Sequence, residues 1–339
     1  MATLSTTTKT LADWAKEMDP DGNVAVVAEL LSQTNEILMD CQFREGNLVT
    51  GEQATVRTGL PDVYYRALNE PIAPSKSTSV QITEACSMLE ARSEVDVKLA
   101  NLGGNREASR AQEARAFIEA MNQEQASTLF YGNPSTDPKK HLGLAPRYSD
   151  LSAGNAANIL DAGGSGSDNQ SIYLVVWGEN TVYCPFPQGS KAGLDQKDLG
   201  EMTTFDTAGK RMQVFAEMYN WDSGLMVKDW RYVVRIANID VSDLKARTGT
   251  QAIAAATNIL DLMDDAITQI PNINMGKSCF YLNRGTMSGL RKMAKDTASS
   301  VLANQAGLDQ FGLPHRWTDF NGVPLRLCDA LLKTESRVT

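Results

Sequence analysis

The sequence predicts an α+β fold, on three observations. Residues 104–131 keep helical apolar spacing, the C-terminal half contains runs whose apolar periodicity is near 2, and a polar, extended ribbon occupies residues 46–84 ahead of both. The chain has 339 residues, of which 42% are hydrophobic and 22% charged, enough apolar surface for one large domain or two ordinary ones.

The elements follow in chain order. VAVVAELLSQTNEILM (24–39) sets Val27, Leu30, Leu31, Ile37 and Leu38 near helical spacing, which predicts a short helix and a turn. GNLVTGEQATVRTGLPDVYYRALNE (46–70) then has the threonines, valines and tyrosines of a β-ribbon, with too few apolar residues in register for a buried strand. Pro71 and Pro74 interrupt it, and SVQITEACSML (79–89) reads as its return limb.

After Gly103-Gly104, the stripe Ala111, Ala114, Phe117, Ile118, Met121, Gln125 and Leu129 predicts a helix of roughly 25 residues, nearly 40 Å long at 1.5 Å per residue, ended by Gly132. Gly163 to Gly166 read as a flexible connector. SIYLVVWGENTVYCPFP (171–187) predicts a hairpin, with strands Ile172–Trp177 and Thr181–Cys184 about a Gly178-Glu179-Asn180 turn. Strands are expected in RMQVFAEMYNW (211–221) and DWRYVVRIANI (229–239). A helix over 250–270 is striped by Ile253, Ala256, Leu260, Met263, Ile267 and Ile270. A strand then leads into a helix in KSCFYLNRGTMSGLRKMAKD (277–296), and FNGVPLRLCDALL (320–332) reads as a closing strand.

Composition excludes several classes. A net charge of −9, from 41 acidic and 32 basic residues, lacks the basic footprint of a sequence-reading nucleic-acid binder. No run approaches the roughly 18 apolar residues of a membrane span, and the N-terminus lacks the apolar core of a secretory signal, so the chain is expected to act where it is made. Cys41, Cys86, Cys184, Cys279 and Cys328 are scattered without a CxxC pair, the usage of reduced thiols instead of a disulfide framework or a zinc site.

The search for chemistry returns nothing specific. Gly163–Gly166 precede a strand, whereas a phosphate loop follows one and opens a helix. Asp261, Asp264 and Asp265 lie opposite an apolar stripe, as a solvated helix face does. His141 and His315 have no nucleophile or ligand at useful spacing. Trp177, Trp221, Trp230 and Trp317 read as core or interface anchors. No cofactor, metal or catalytic residue is expected. A ribbon too polar for its own core points instead to a contact between copies, in which Arg57, Arg66 and Glu70 make the polar contacts and Tyr64 and Tyr65 are the aromatic anchors.

Four stretches carry a family resemblance: NEILMD (35–40), TGLPDVYYRALNEPIAPSKST (58–78), SEVDVKLA (93–100) and NGVPLRLCDALL (321–332). With the order helix, ribbon, long helix, sheet lobe, the sequence resembles the major capsid proteins of tailed bacteriophages of the short-tailed type, which have the HK97-like fold. The resemblance implies an N-terminal arm (1–45), an extended loop overlapping the adjacent subunit (46–84), and a peripheral domain (85–170) with a spine helix at 104–131. An axial domain with the remaining peripheral strands (171–330) and a C-terminal tail (331–339) would complete the chain. It further implies hexamers and pentamers of this chain forming an icosahedral shell around double-stranded DNA, in a virion assembled in the host cytoplasm. Scaffolding or decoration protein, a portal, and non-specific DNA at the inner surface are the implied partners, with no membrane. An encapsulin-like nanocompartment shell and an oligomeric enzyme are the alternatives.

Overall fold

The computed structural model describes residues 32–101, 106–205, 209–241, 250–296, 302–308 and 314–339. Most of the helix expected over 24–39 lies outside the described residues. Within them, α1 (Ile37–Asp40) is a single turn. It leads into β1 (Phe43–Glu45), the ribbon strands β2 (Gly51–Gly59) and β3 (Thr78–Ala85), β4 (Ser87–Asp96) and α2 (Val97–Asn101). The long helix α3 (Arg106–Tyr131) and the short α4 (Leu144–Arg147) precede β5 (Ile159–Asp161), β6 (Asn169–Trp177) and β7 (Val182–Phe186). Next come β8 (Asp195–Phe205), β9 (Arg211–Ser223), β10 (Met226–Val227) and β11 (Val233–Asp240). The chain ends with α5 (Thr250–Gln269), β12 (Lys277–Leu282), α6 (Arg284–Asp296), β13 (Leu302–Leu308), β14 (Pro314–Phe320) and β15 (Val323–Leu327).

Three sheets result. A large mixed sheet contains β6 at its centre, the ribbon is a two-stranded sheet of its own, and β4, β9 and β8 form a third in that order. The run IYLVVW (172–177) is apolar at every position because β6 is covered on both faces. Tyr173, Val175 and Trp177 point to a cluster with Leu129 and Phe130 of α3, while Ile172, Leu174 and Val176 meet Met263 and Ala266 of α5 and Leu290 of α6. Of the expected stripe, Met263 and Ile270, the latter just past α5, are buried and Leu260 and Ile267 are partly so, while Ile253 and Ala256 have side chains outside the described ones; the buried face also takes in Ile259 and Ala266, which the expected stripe left out.

The hairpin expected at 171–187 does not form. The Gly178–Asn180 turn is present, with Gly178 N donating to Val182 O at 2.9 Å, but β6 and β7 touch in register only at Trp177 and Val182, and in parallel. Both edges of β6 are already occupied by antiparallel partners, Val175 facing Val233 of β11 and Cys279 of β12. The second strand therefore leaves and joins β1, with Phe43 beside Cys184. The expected closing strand forms as β15, the last strand in the described chain, and it lies between β12, to which it is parallel, and β14.

The long helix packs on the third sheet through Ala114, Phe117, Ile118 and Met121, which meet Leu89, Tyr219 and Trp221. Phe117 stacks on Tyr219 with centroids 5.5 Å apart. Ala111, expected in the stripe, is exposed. The Gly163–Gly166 connector is tied down: Gly164 N donates to Asn238 O at 2.8 Å, and a Cβ at Gly164 would lie 2.4 Å from that oxygen.

Contacts between residues far apart in sequence lock both ends of the described chain. Asp40, buried, makes ion pairs with Lys277 and Arg326 and accepts from Tyr281 OH at 3.0 Å. At the C-terminal end, the buried Arg235 guanidinium donates to Glu335 Oε2 at 2.8 Å, Tyr148 O at 2.7 Å and Ser171 Oγ at 3.0 Å. Glu335 also accepts from Tyr131 OH and Ser171 Oγ. Each charge is therefore paired, the first condition under which a buried ion pair is tolerated.

Candidate assembly interface

The ribbon begins on the body of the chain and leaves it. β2 and β3 pair antiparallel from Gly51–Ala85 to Arg57–Ser79, and after an irregularity at Gly59–Thr78. At the root, Ala54 and Ile82 pack on Tyr183 and Met226. Tyr183 OH donates to Glu52 Oε1 at 3.0 Å. The Arg147 guanidinium grips both oxygens of Glu84 at 2.6 and 2.7 Å, in a partly buried fork. Gly51 is needed there, since a Cβ would lie 2.0 Å from the Glu84 carbonyl oxygen.

Past Gly59 the chain has no strand until Thr78. The tip is shaped by local bonds alone: Glu70 accepts from Ala67 N at 3.1 Å and donates its own N–H to Ala67 O at 3.3 Å, across Asn69 at φ 68°. Ser75 Oγ donates to Asp62 O at 2.8 Å. The structure brings Tyr64, Tyr65, Arg66 and Glu70 together on this loop, all exposed, and sets Arg57 apart from them on β2, also exposed. Glu70 is already used by its own turn.

Sequence reasoning passed over the apolar residues among these polar ones. Val63, Tyr65 and Leu68 are 90%, 108% and 93% exposed, and Leu60 and Ile72 are exposed beside them. Such a concentration of exposed apolar residues on one loop exceeds the scattered single exposures usual on a protein surface. Their signal in the sequence was apolar residues interleaved with Pro61, Pro71 and Pro74, a pattern that belongs to neither a helix nor a strand.

The catalytic candidates recede. His141 is buried, and its Nδ1 lies 2.7 Å from Ser87 Oγ, which also donates toward Ser223 O at 3.1 Å. Among the described residues no carboxylate completes that pair, and His141 Nε2 is buried without a partner. Burial, reinforced by Arg147 and Lys140, lowers the imidazole's pKa to about 4. A Ser-His pair sealed from solvent and lacking an acid is not a nucleophile system. His315 and Trp317 have side chains outside the described ones. Asp261, Asp264 and Asp265 are exposed on α5, as a solvated face should be, and no group of three or more metal-ligating side chains occurs among the described residues. Trp177 and Trp221 are buried, and Trp230 is 43% exposed. Cys41, Cys184, Cys279 and Cys328 are buried free thiols. Burial pushes Cys279 to about 11 and Cys328 to about 12, so they stay protonated and unreactive. Among the described residues no helix is long and apolar enough to cross a membrane.

Several known proteins are similar to this chain. A family model described as major capsid protein GP7 matches residues 19–339. The capsid structure of bacteriophage Epsilon15 is similar over 100% of both chains, with 30% sequence identity and a TM-score of 0.75. The SrpI encapsulin of Synechococcus elongatus aligns over 71% of this chain and 98% of its own, at 10% identity and a TM-score of 0.47. The capsid of bacteriophage JBD30 aligns over 89% of this chain and 92% of its own, at 11% identity and a TM-score of 0.46. No curated protein sequence matches.

Proposed function

Because the chain belongs to the major capsid protein GP7 family, whose members build the icosahedral shell of a phage virion, we propose that residues 46–84 are the limb by which one copy holds the next. The observation that supports this reading is the uncovered tip: Val63, Tyr65 and Leu68 have no apolar neighbour on their own chain to bury them. Burying a residue of this type gains about 1.5–3 kcal/mol. Arg57 and Arg66 would pair with the neighbour's carboxylates, Tyr64 and Tyr65 would anchor, and Glu70 would hold the loop's shape as well as contribute contact.

The lobes take roles accordingly. Residues 1–45 act as the N-terminal arm and 331–339 as a tail folded back on the body. Helix α3 is the spine of a peripheral domain that starts within 85–170 and borrows β8 and β9 from the later sequence, because both pair with β4's sheet. The large sheet with α5 and α6 is the axial domain. Identical copies would meet as hexamers and pentamers, with head-to-tail contacts that close into rings. Scaffolding or decoration protein, a portal and DNA at the inner surface are further partners on this reading. The subunit works mechanically, without catalysis.

The test removes the tip and keeps the root. Gly59 lies opposite Thr78, so residues 60–77 can be replaced by a two-residue Asn-Gly turn, which closes a hairpin of this hand. The variant is expected to remain a folded, soluble subunit and to form no closed shells by electron microscopy. Normal shells would reject the interface.

A further inference from the structure

We propose that Asn321 is a site of spontaneous deamidation, and that the acid it becomes loosens the β14–β15 hairpin from helix α5. The inference stands apart from the ribbon and its contacts. Asn321-Gly322 is the one Asn-Gly pair in the sequence. A glycine after asparagine favours this reaction, because no side chain shields the backbone nitrogen that attacks the amide.

The fold presents the pair and leaves it uncovered. Phe320 of β14 pairs with Val323 of β15, so the two residues between them are the whole connection. Their φ angles of 49° and 82° are those of a type I′ turn. Both residues are exposed, and apart from its chain neighbours nothing lies within 4 Å of where a Cβ on Gly322 would be. The Gly322 N–H makes no hydrogen bond among the described residues. The Asn321 side chain is held by one bond, Nδ2 donating to Asp264 Oδ1 at 2.9 Å. Bringing the attacking nitrogen to the side-chain carbon takes a rotation of the Asn321 backbone, which this exposed turn has room to make.

The reaction needs only water. Gly322 N gives its proton to hydroxide and bonds to Asn321 Cγ; the side-chain nitrogen takes a proton from water and leaves as ammonia, closing a succinimide. Water then opens either carbonyl of that ring, giving aspartate or isoaspartate at position 321. One water enters, one ammonia leaves, and nothing is oxidised or reduced.

The product reverses the sign of the contact. The amide donates to Asp264, whereas a carboxylate has no proton to donate and meets it with like charge. Asp261 and Asp265 are exposed beside Asp264 on α5, so the new charge joins three others on a chain of net charge −9. Losing the hydrogen bond and adding the repulsion should lower the folding constant roughly tenfold. In a shell of many copies the loss accumulates copy by copy, which makes Asn321 a chemical clock for the particle.

Peptide mapping of the unassembled full chain held at pH 8, folded in one sample and unfolded in urea in the other, tests the site. Conversion at 321 in the folded chain should come within an order of magnitude of that in the unfolded chain and exceed conversion at every other described asparagine. A folded chain that stays unconverted while the unfolded one converts would overturn the proposal, because the turn would then shield its amide. The consequence is read separately, from urea midpoints. Asn321→Asp should lower the midpoint in the natural chain and leave it unchanged in an Asp264→Asn background, where an amide at 264 can donate to the new acid. An equal loss in both backgrounds, or no loss in the natural chain, would overturn the link to α5.

Discussion

His141 makes the unassembled subunit sensitive to mild acid. In the folded chain its Nδ1 is satisfied by Ser87 Oγ at 2.7 Å, but Nε2 is buried with no acceptor or donor. The nearest charges that act on it, from Arg147 and Lys140, are both positive. Protonation would therefore place an unpaired cation in the interior where the ribbon root, β9 and the end of α3 meet. Arg147 is itself held by Glu84 of β3, and Gln125 of α3 donates to Ser223 Oγ at the end of β9. The folded pKa is lowered from 6.5 to about 4. Between those values the unfolded chain binds a proton that the folded one refuses, so stability falls as pH drops below 6.5 and levels off below about 4. At 1.36 kcal/mol per pH unit the loss is about 3 kcal/mol.

Urea unfolding of the unassembled subunit, at intervals from pH 7 to pH 4, measures this directly. Carboxylates and His315 also contribute, so the comparison is with His141→Asn, whose side-chain amide can keep the Ser87 contact without titrating. The variant starts less stable at pH 7 because it loses ring volume. The difference between the two proteins should narrow by about 3 kcal/mol as pH falls to 4. A constant difference across the range would refute the argument, because it would mean that His141 binds its proton equally well in both states.

Two further outcomes follow from buried chemistry. Glu335→Ala leaves the Arg235 guanidinium buried without its carboxylate and should cost about 3–5 kcal/mol, read as a lowered urea midpoint; an unchanged midpoint would mean that the C-terminal tail is not held by this pair. The buried thiols should react with an aromatic disulfide reagent at pH 8 only after unfolding, since burial raises Cys41, Cys279 and Cys328 above their ordinary range; rapid native-state labelling of any of these three would contradict the packing around Asp40.

What the sequence revealed of this fold depended on whether a signal was local. Helices α3 and α5 were legible because burial on one face imposes a 3.6-residue period on the residues themselves. Strand β6 was legible as a buried strand, but its partners were not, since nothing in SIYLVVW says that β11 and β12 will occupy both its edges and displace β7. Strand β8 was invisible: Asp195 to Phe205 alternates polar residues of both faces, and only its pairing with β9 makes it a strand. The locks Asp40–Lys277 and Arg235–Glu335 join residues too far apart for any spacing rule.

The proposed interface was legible for the opposite reason, since its composition disagrees with any burial on its own chain. A segment whose local chemistry contradicts its fold is where function concentrates, and Tyr64 and Tyr65 stood out in a ribbon with no core to enter. Leu60, Val63, Leu68 and Ile72 did not, because an isolated apolar residue in a proline-rich stretch reads as an ordinary loop residue until its exposure is known. The tip presents apolar area that its own chain leaves unburied, a mismatch that exists only once Leu60, Val63, Leu68 and Ile72 are set on one exposed loop, which is why only the folded chain displays it.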